Sequence, residues 1–165
     1  MTDPSQIDTE HLKPLETEFL QAITLKEAGK IDEAEQVLRS ILKTEPRLPE
    51  PRMELARILL DTERLSDAEE HAVTALADLQ KSGPWTKMLE DDVVLALCHA
   101  LLAETLRRRA DEDDVIFGDP EGFQDLVKRS QSHFATAARL DPSDETSSYY
   151  ALFFGKPETD QEPQG

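Results

Sequence analysis

Leu12, Leu15, Phe19, Ala22, Ile23 and Leu25 recur at the three- and four-residue spacing of one helical face, and Gly29 follows where a helix C-terminus calls for a permissive residue. A second helix carries Ala34, Val37, Leu38, Ile41 and Leu42. Pro46, Pro49 and Pro51 are expected to stop it, because proline has no N–H for a helix interior and drives its predecessor out of helical geometry. The pattern then returns with Met53, Leu55, Ala56, Ile58, Leu59 and Leu60, and after a short turn with Leu65, Ala68, Ala72, Val73, Ala75, Leu76 and Leu79, before Gly83-Pro84 closes the pair. Asp32 with Glu35, and Ser66 with Glu69, have the spacing of a capping box, in which a side-chain oxygen accepts from an orphaned N–H and the glutamate answers it. Each is therefore expected to mark the start of its helix.

Shifting the chain by 34 residues lays Ala22 on Ala56, Leu25 on Leu59, Ile31 on Leu65, Ala34 on Ala68, Ile41 on Ala75 and Leu42 on Leu76. A fixed period of about that length, with small residues inside each helix, marks a stacked helical-hairpin repeat. These residues resemble tetratricopeptide repeats. In that family a small residue at the eighth position and an alanine at the twentieth let paired helices approach, and a proline near the thirty-second ends the unit. Ala22, Ala34 and Pro46 stand at those places in the first unit, and Ala56 and Ala68 in the second, which lacks the proline. Gly29 matches the family's interhelical glycine, which Glu63 replaces in the second unit, and Glu18 stands where a large aromatic is preferred. In a stretched third unit, Leu102 to Asp111 resembles the end of a first helix with Ala103 at the small position, and Phe134, Ala137, Ala138, Leu140, Asp141 and Pro142 resemble the end of a second.

The resemblance implies an all-α fold: a right-handed superhelix of stacked antiparallel helix pairs, with repeats at about 15–48, 49–82 and 96–142 and an insertion over 112–124. An excess over Gly83 to Leu95 is expected to lengthen the third unit's first helix at its N-terminal end. The apolar segment after Pro142, with Tyr149, Tyr150, Leu152, Phe153 and Phe154, is expected to form a capping helix, since the last unit of a stack leaves an apolar face open. A second reading makes Tyr149, Tyr150, Phe153 and Phe154 a homo-oligomer contact. Residues 1–11 and 155–165 are polar and are expected to be disordered tails around a helical domain over 12–154.

Charge narrows the partners. A net charge of −17 repels nucleic-acid phosphates and anionic lipid, so neither nucleic acid nor membrane insertion is expected, and basic or apolar protein partners fit better. The mostly apolar run from Val93 to Ala103 is far shorter than the roughly 20 residues of a spanning helix. The opening Met-Thr-Asp-Pro-Ser-Gln has no basic region leading into an apolar one, and the single Cys98 can make no internal disulfide, so a cytoplasmic location is expected.

Chemistry is thin. Cys98 and His99 are adjacent on a helix, point about 100° apart and cannot converge on one ion or proton. The acidic run Asp111, Glu112, Asp113, Asp114 and Asp119 lacks the alternation and glycine of a calcium loop, and reads as solvated charge. With no phosphate loop, dinucleotide fingerprint or hydrolase elbow, no catalytic residue, metal or cofactor is expected, and the chain is read as a non-enzyme. Arg107, Arg108 and Arg109 are explained by a helix C-terminus followed by acids.

In the family's register the concave face comprises Phe19, Ile23, Lys26, Met53, Arg57, Leu60, Ala100, Arg107 and Arg108, apolar residues mixed with four cations. Such a face suits a peptide with hydrophobic anchors and some negative charge. The carboxylate clamp known in the family is not implied, because Phe19 and Ile23 stand where it needs lysine and asparagine. In the insertion, Val115, Ile116 and Phe117 form an apolar trio that either folds back on the third repeat or meets a partner. The functional expectation is a protein-interaction adaptor binding a peptide or protein segment, with a small acidic secretion chaperone or a self-association module as alternatives.

Overall fold

The structure, a computed structural model, describes residues 12–154, with side chains as far as Ala151. The two expected tails, and the side chains of Phe153 and Phe154, lie outside the described residues. Within the described residues the chain is all-α: α1 (Lys13–Glu27), α2 (Ile31–Thr44), α3 (Pro49–Asp61), α4 (Leu65–Ser82), α5 (Asp91–Ala110), α6 (Asp113–Gly118), α7 (Pro120–Leu140) and α8 (Glu145–Phe154). It divides into two compact units, one ending at Asp91 and one beginning at Asp92.

The first unit holds two matched helix pairs. In each, the helices are joined by the same left-handed turn, in which the N–H groups of the last two turn residues reach back to carbonyls of the preceding helix. Gly29 N–H donates to Lys26 O at 3.0 Å and Lys30 N–H to Leu25 O at 2.9 Å; in the second pair Glu63 N–H donates to Leu60 O at 3.1 Å and Arg64 N–H to Leu59 O at 2.8 Å. Gly29 has φ +80° and Glu63 φ +63°, so the second turn forces a side-chain-bearing residue into left-handed backbone.

This turn corrects the expected helix starts. Lys30 and Arg64, which close the turns, are themselves the N-caps of α2 and α4, and neither helix has a side-chain cap. Asp32 and Ser66 thus lie inside the first helical turn and make no capping box. Two of the three expected stops also move: α2 ends before Pro46, whereas Pro49 and Pro51 open α3, where the missing N–H is one that no intrahelical carbonyl would have received.

Ala22, Ala34, Ala56 and Ala68 are all buried, at 0–1% exposure, so the helices of each pair meet where side chains are smallest. Two ion pairs tie one repeat to the next. Lys26 on α1 reaches Glu54 on α3, and Arg64 from the second turn grips Glu35 on α2 through two guanidinium nitrogens, at 3.0 and 2.6 Å. Arg64, with Arg39 one turn along α2, holds the Glu35 carboxyl below its ordinary range despite partial burial.

In the second unit α5 and α7 form the stretched pair. The Ser130 hydroxyl on α7 donates to Ala103 O on α5 at 2.7 Å, and both residues are buried. The insertion over 112–124 is not a loop: it folds as α6 and the first turn of α7. Asp119 accepts from Gly122 N–H at 2.9 Å and caps α7, with Pro120 in its first turn. Helix α8 packs on α7, where Tyr150 stacks on Phe134 at 4.7 Å between ring centroids. That contact fits a capping role for α8.

Replacing Glu63 by Gly removes the left-handed cost and is expected to raise stability by about 0.5–1 kcal/mol, read as a higher urea midpoint with an unchanged slope. Replacing Ala34 by Leu forces α1 and α2 apart and is expected to lower stability by about 1–3 kcal/mol in the same measurement.

Candidate functional site

Helices α1 and α3 each present residues at intervals of three and four, the spacing that lines up one helical face. On α1 these are Phe19, Ile23 and Lys26; on α3 they are Glu50, Met53, Arg57 and Leu60. Ile23, Lys26, Met53 and Arg57 are partly exposed, and Leu60 is fully buried. Phe19 is also buried, at 3% exposure, and the Trp85 ring lies against it, with centroids 5.9 Å apart and planes tilted by 53°.

Trp85 belongs to a non-helical strap between α4 and Glu90 that crosses this face. Glu50 fastens it. One carboxylate oxygen accepts from Trp85 N–H at 2.8 Å, and the other accepts from Thr86 N–H at 2.6 Å and from the Thr86 hydroxyl at 2.7 Å. Glu50 itself is 8% exposed, so three donors offset the loss of water around a carboxylate. The face is thus an apolar floor at Phe19, a buried acceptor at Glu50 and a part-exposed rim of Ile23, Met53 and Arg57. Reading the sequence missed Glu50, Trp85 and Thr86. The available signal was the chain's single tryptophan, placed directly after Gly83-Pro84 in the stretch where the period breaks.

The remaining residues expected on that face, Ala100, Arg107 and Arg108, lie on α5 in the second unit, and all three are half-buried. Arg107 places its guanidinium over the Tyr150 ring, 5.1 Å from the centroid, and approaches Asp111 at 3.8 Å. A cleft of about 190 Å³ beside it is lined by Phe123, Val127 and Ser130. Val115 is half-buried, Ile116 is exposed and Phe117 is 82% exposed, so Ile116 and Phe117 do not fold back on the third repeat. They sit on a short helix rather than in the expected insertion loop. Tyr149 is exposed, whereas Tyr150 is engaged by Phe134 and Arg107.

Cys98 is buried, and loss of water pushes its thiol up to about 12, far from nucleophilic use at neutral pH. His99 meets not Cys98 but His133 of α7, Nδ1 to Nδ1 at 2.9 Å. One ring must donate and the other accept, so at least one is neutral at that atom. Burial, with the neighbouring ring and Arg139, lowers His99 to about 4; burial and Arg129 also lower His133. In the acidic run, Asp111 approaches Arg107, Glu112 approaches Arg109 and Asp119 caps α7. Among the described residues, no three His, Cys, Asp or Glu side chains are grouped to hold a metal, and no helix is long and apolar enough to cross a membrane.

Residues 25–90, covering α2, α3, α4 and the strap, match the family model of the tetratricopeptide repeat. No curated protein matches the chain.

The histidine pair makes stability depend on pH. Both folded-state values lie below the ordinary histidine value, so the unfolded chain binds more protons in that interval. The stabilisation present above the unfolded value near 6.5 is expected to be lost as pH falls toward about 4. Urea titrations at pH 7 and pH 5 should differ by on the order of 1–3 kcal/mol, and H99Q/H133Q should flatten that difference.

Proposed function

We propose that this chain, which carries tetratricopeptide repeat sequence over residues 25–90, is a non-enzymatic adaptor that holds a protein or peptide segment on the α1–α3 face of its first unit. Repeats of this family mediate protein–protein interaction. The observation that carries the reading is that this face already accommodates a non-helical stretch of polypeptide, seating an aromatic ring on Phe19 and backbone N–H groups on Glu50. Ile23, Met53 and Arg57 extend the same face with apolar and cationic surface. Such a mixture anchors a segment by its side chains while polar groups fix its direction.

A second contact is proposed at α6. Phe117 and Ile116 are exposed on a helix whose first turn is acidic, and an aromatic side chain left in water forgoes roughly 1.5–3 kcal/mol of burial that a partner would supply. Ala100, Arg107 and Arg108 are proposed as a corresponding surface of the second unit. A chain of net charge −17 favours basic or apolar partners over nucleic acid. Its one thiol, buried and unsuited to disulfide exchange, agrees with a cytoplasmic setting.

The test uses the double variant M53A/R57E. A partner recovered by affinity capture from cell extract and then purified is expected to bind it at least tenfold more weakly than wild type, with far-UV circular dichroism unchanged. Equal affinity would remove the α1–α3 face from the mechanism.

A further inference from the structure

We infer that the strap around Trp85 and Thr86 is an internal ligand, occupying the place of a partner segment in which an aromatic residue is followed by serine or threonine. This rests on reading the α1–α3 face as the binding face. The contacts are those by which one polypeptide recognises another: two successive backbone N–H groups converge on the two oxygens of Glu50, the Thr86 hydroxyl adds a third bond, and the preceding indole covers Phe19. Each contact specifies something. The carboxylate requires two adjacent N–H groups in a non-helical stretch, Phe19 requires a flat apolar ring, and the third donor requires a hydroxyl on the next residue.

The strap is a short non-helical segment between two helices: Trp85 is half-buried and Thr86 is buried, whereas Lys87, Met88 and Leu89 beyond them are exposed and α5 begins at Asp91, so Trp85 and Thr86 are its points of attachment to the face. Gly83 stands at its root with φ +75°, caps α4 through its N–H bond to Leu79 O at 2.8 Å, and is the permissive residue at which the chain turns from the helix into the strap. Tethered that closely, the strap acts at a local concentration on the order of millimolar, so a modest intrinsic affinity keeps it seated. A partner must therefore bind with more than the strap offers. Repulsion by the acidic chain selects segments that are neutral or basic around the aromatic–hydroxyl pair, as Lys87 is here.

The test uses the full chain with W85A/T86P, which removes the ring, the hydroxyl and one of the two N–H donors. The probe is a fluorescein-labelled peptide of residues 82–89, followed by anisotropy. The opened variant is expected to bind the peptide at least tenfold more tightly than wild type, and adding E50Q to abolish that gain, because an amide accepts at only one of its two positions. An opened variant that keeps its circular dichroism yet binds the peptide no better than wild type overturns the inference.

Should that variant unfold, E50Q alone decides, since Trp85 is the only tryptophan and reports directly on the strap. A red shift of its emission with helicity retained supports release, and an unchanged spectrum overturns it. Peptide failure alongside a partner sensitive to M53A/R57E removes the strap as ligand and keeps the face. Peptide binding to the opened variant alongside a partner indifferent to M53A/R57E keeps the strap site and removes the wider face.

Discussion

The carbonyls of Leu25 and Leu59 each accept an N–H from five residues further along, and that one bond governs the geometry of the first unit. It closes a helix and, because its donor is also the cap of the next helix, reverses the chain with almost no loop. The second helix of each pair must then lie directly along the first, and side-chain size at the crossing becomes the limiting quantity. Alanines at 22, 34, 56 and 68 meet the requirement with essentially no exposed surface. The third pair lacks this turn, since α6 intervenes between α5 and α7. It secures close approach with a hydrogen bond from Ser130 to the backbone at Ala103 instead.

The period made the first unit legible, but a period carries packing and not the details of caps and turns. Repeating alanines and leucines report packing, so the helices and their small contacts could be read directly. Asp32 and Ser66 imitated caps because an acidic or hydroxyl residue is also favoured within a first helical turn, and spacing alone does not separate N-cap from N2. The prolines misled for a similar reason: the chemistry that ends one helix is tolerated at the start of the next. Ser130 was within reach, because counting back twelve residues from Pro142, the distance from Pro46 to Ala34, lands on it. The link between Glu50 and Trp85 was not, since it joins positions 35 apart that share no motif. Phe19 and Leu60 were read as contact surface from register, whereas burial removes them from the part-exposed rim.

With 35 acidic against 18 basic residues, the chain repels itself, and the placement of its cations matters more than their number. Lys26 and Arg64 each bridge from one repeat to the next. Part-exposed pairs of this kind contribute about a kilocalorie or less, so their value lies in setting which neighbour a helix faces rather than in overall stability. In the second unit Arg107 lies over the Tyr150 ring beside an apolar cleft, so this member of the arginine run also serves packing within its own unit. A sequence scan for basic clusters would misread it as a nucleic-acid patch.

Glu50 is where packing and the proposed recognition meet. A carboxylate this deeply buried would be destabilising without its three donors, and those donors come from a short non-helical segment whose other contact on this face is the Trp85 ring on Phe19. Release of the strap therefore cannot leave the site empty at no cost: water must rehydrate Glu50 or an incoming backbone must replace the lost N–H groups. This makes exchange of one bound segment for another energetically smoother than simple opening, because the acceptor stays satisfied at each end of the process. In the proposed exchange the same asymmetry would make the face selective. A segment that offered an aromatic ring but no pair of adjacent N–H groups would cover Phe19 and strand the carboxylate, and would lose to the strap already in place.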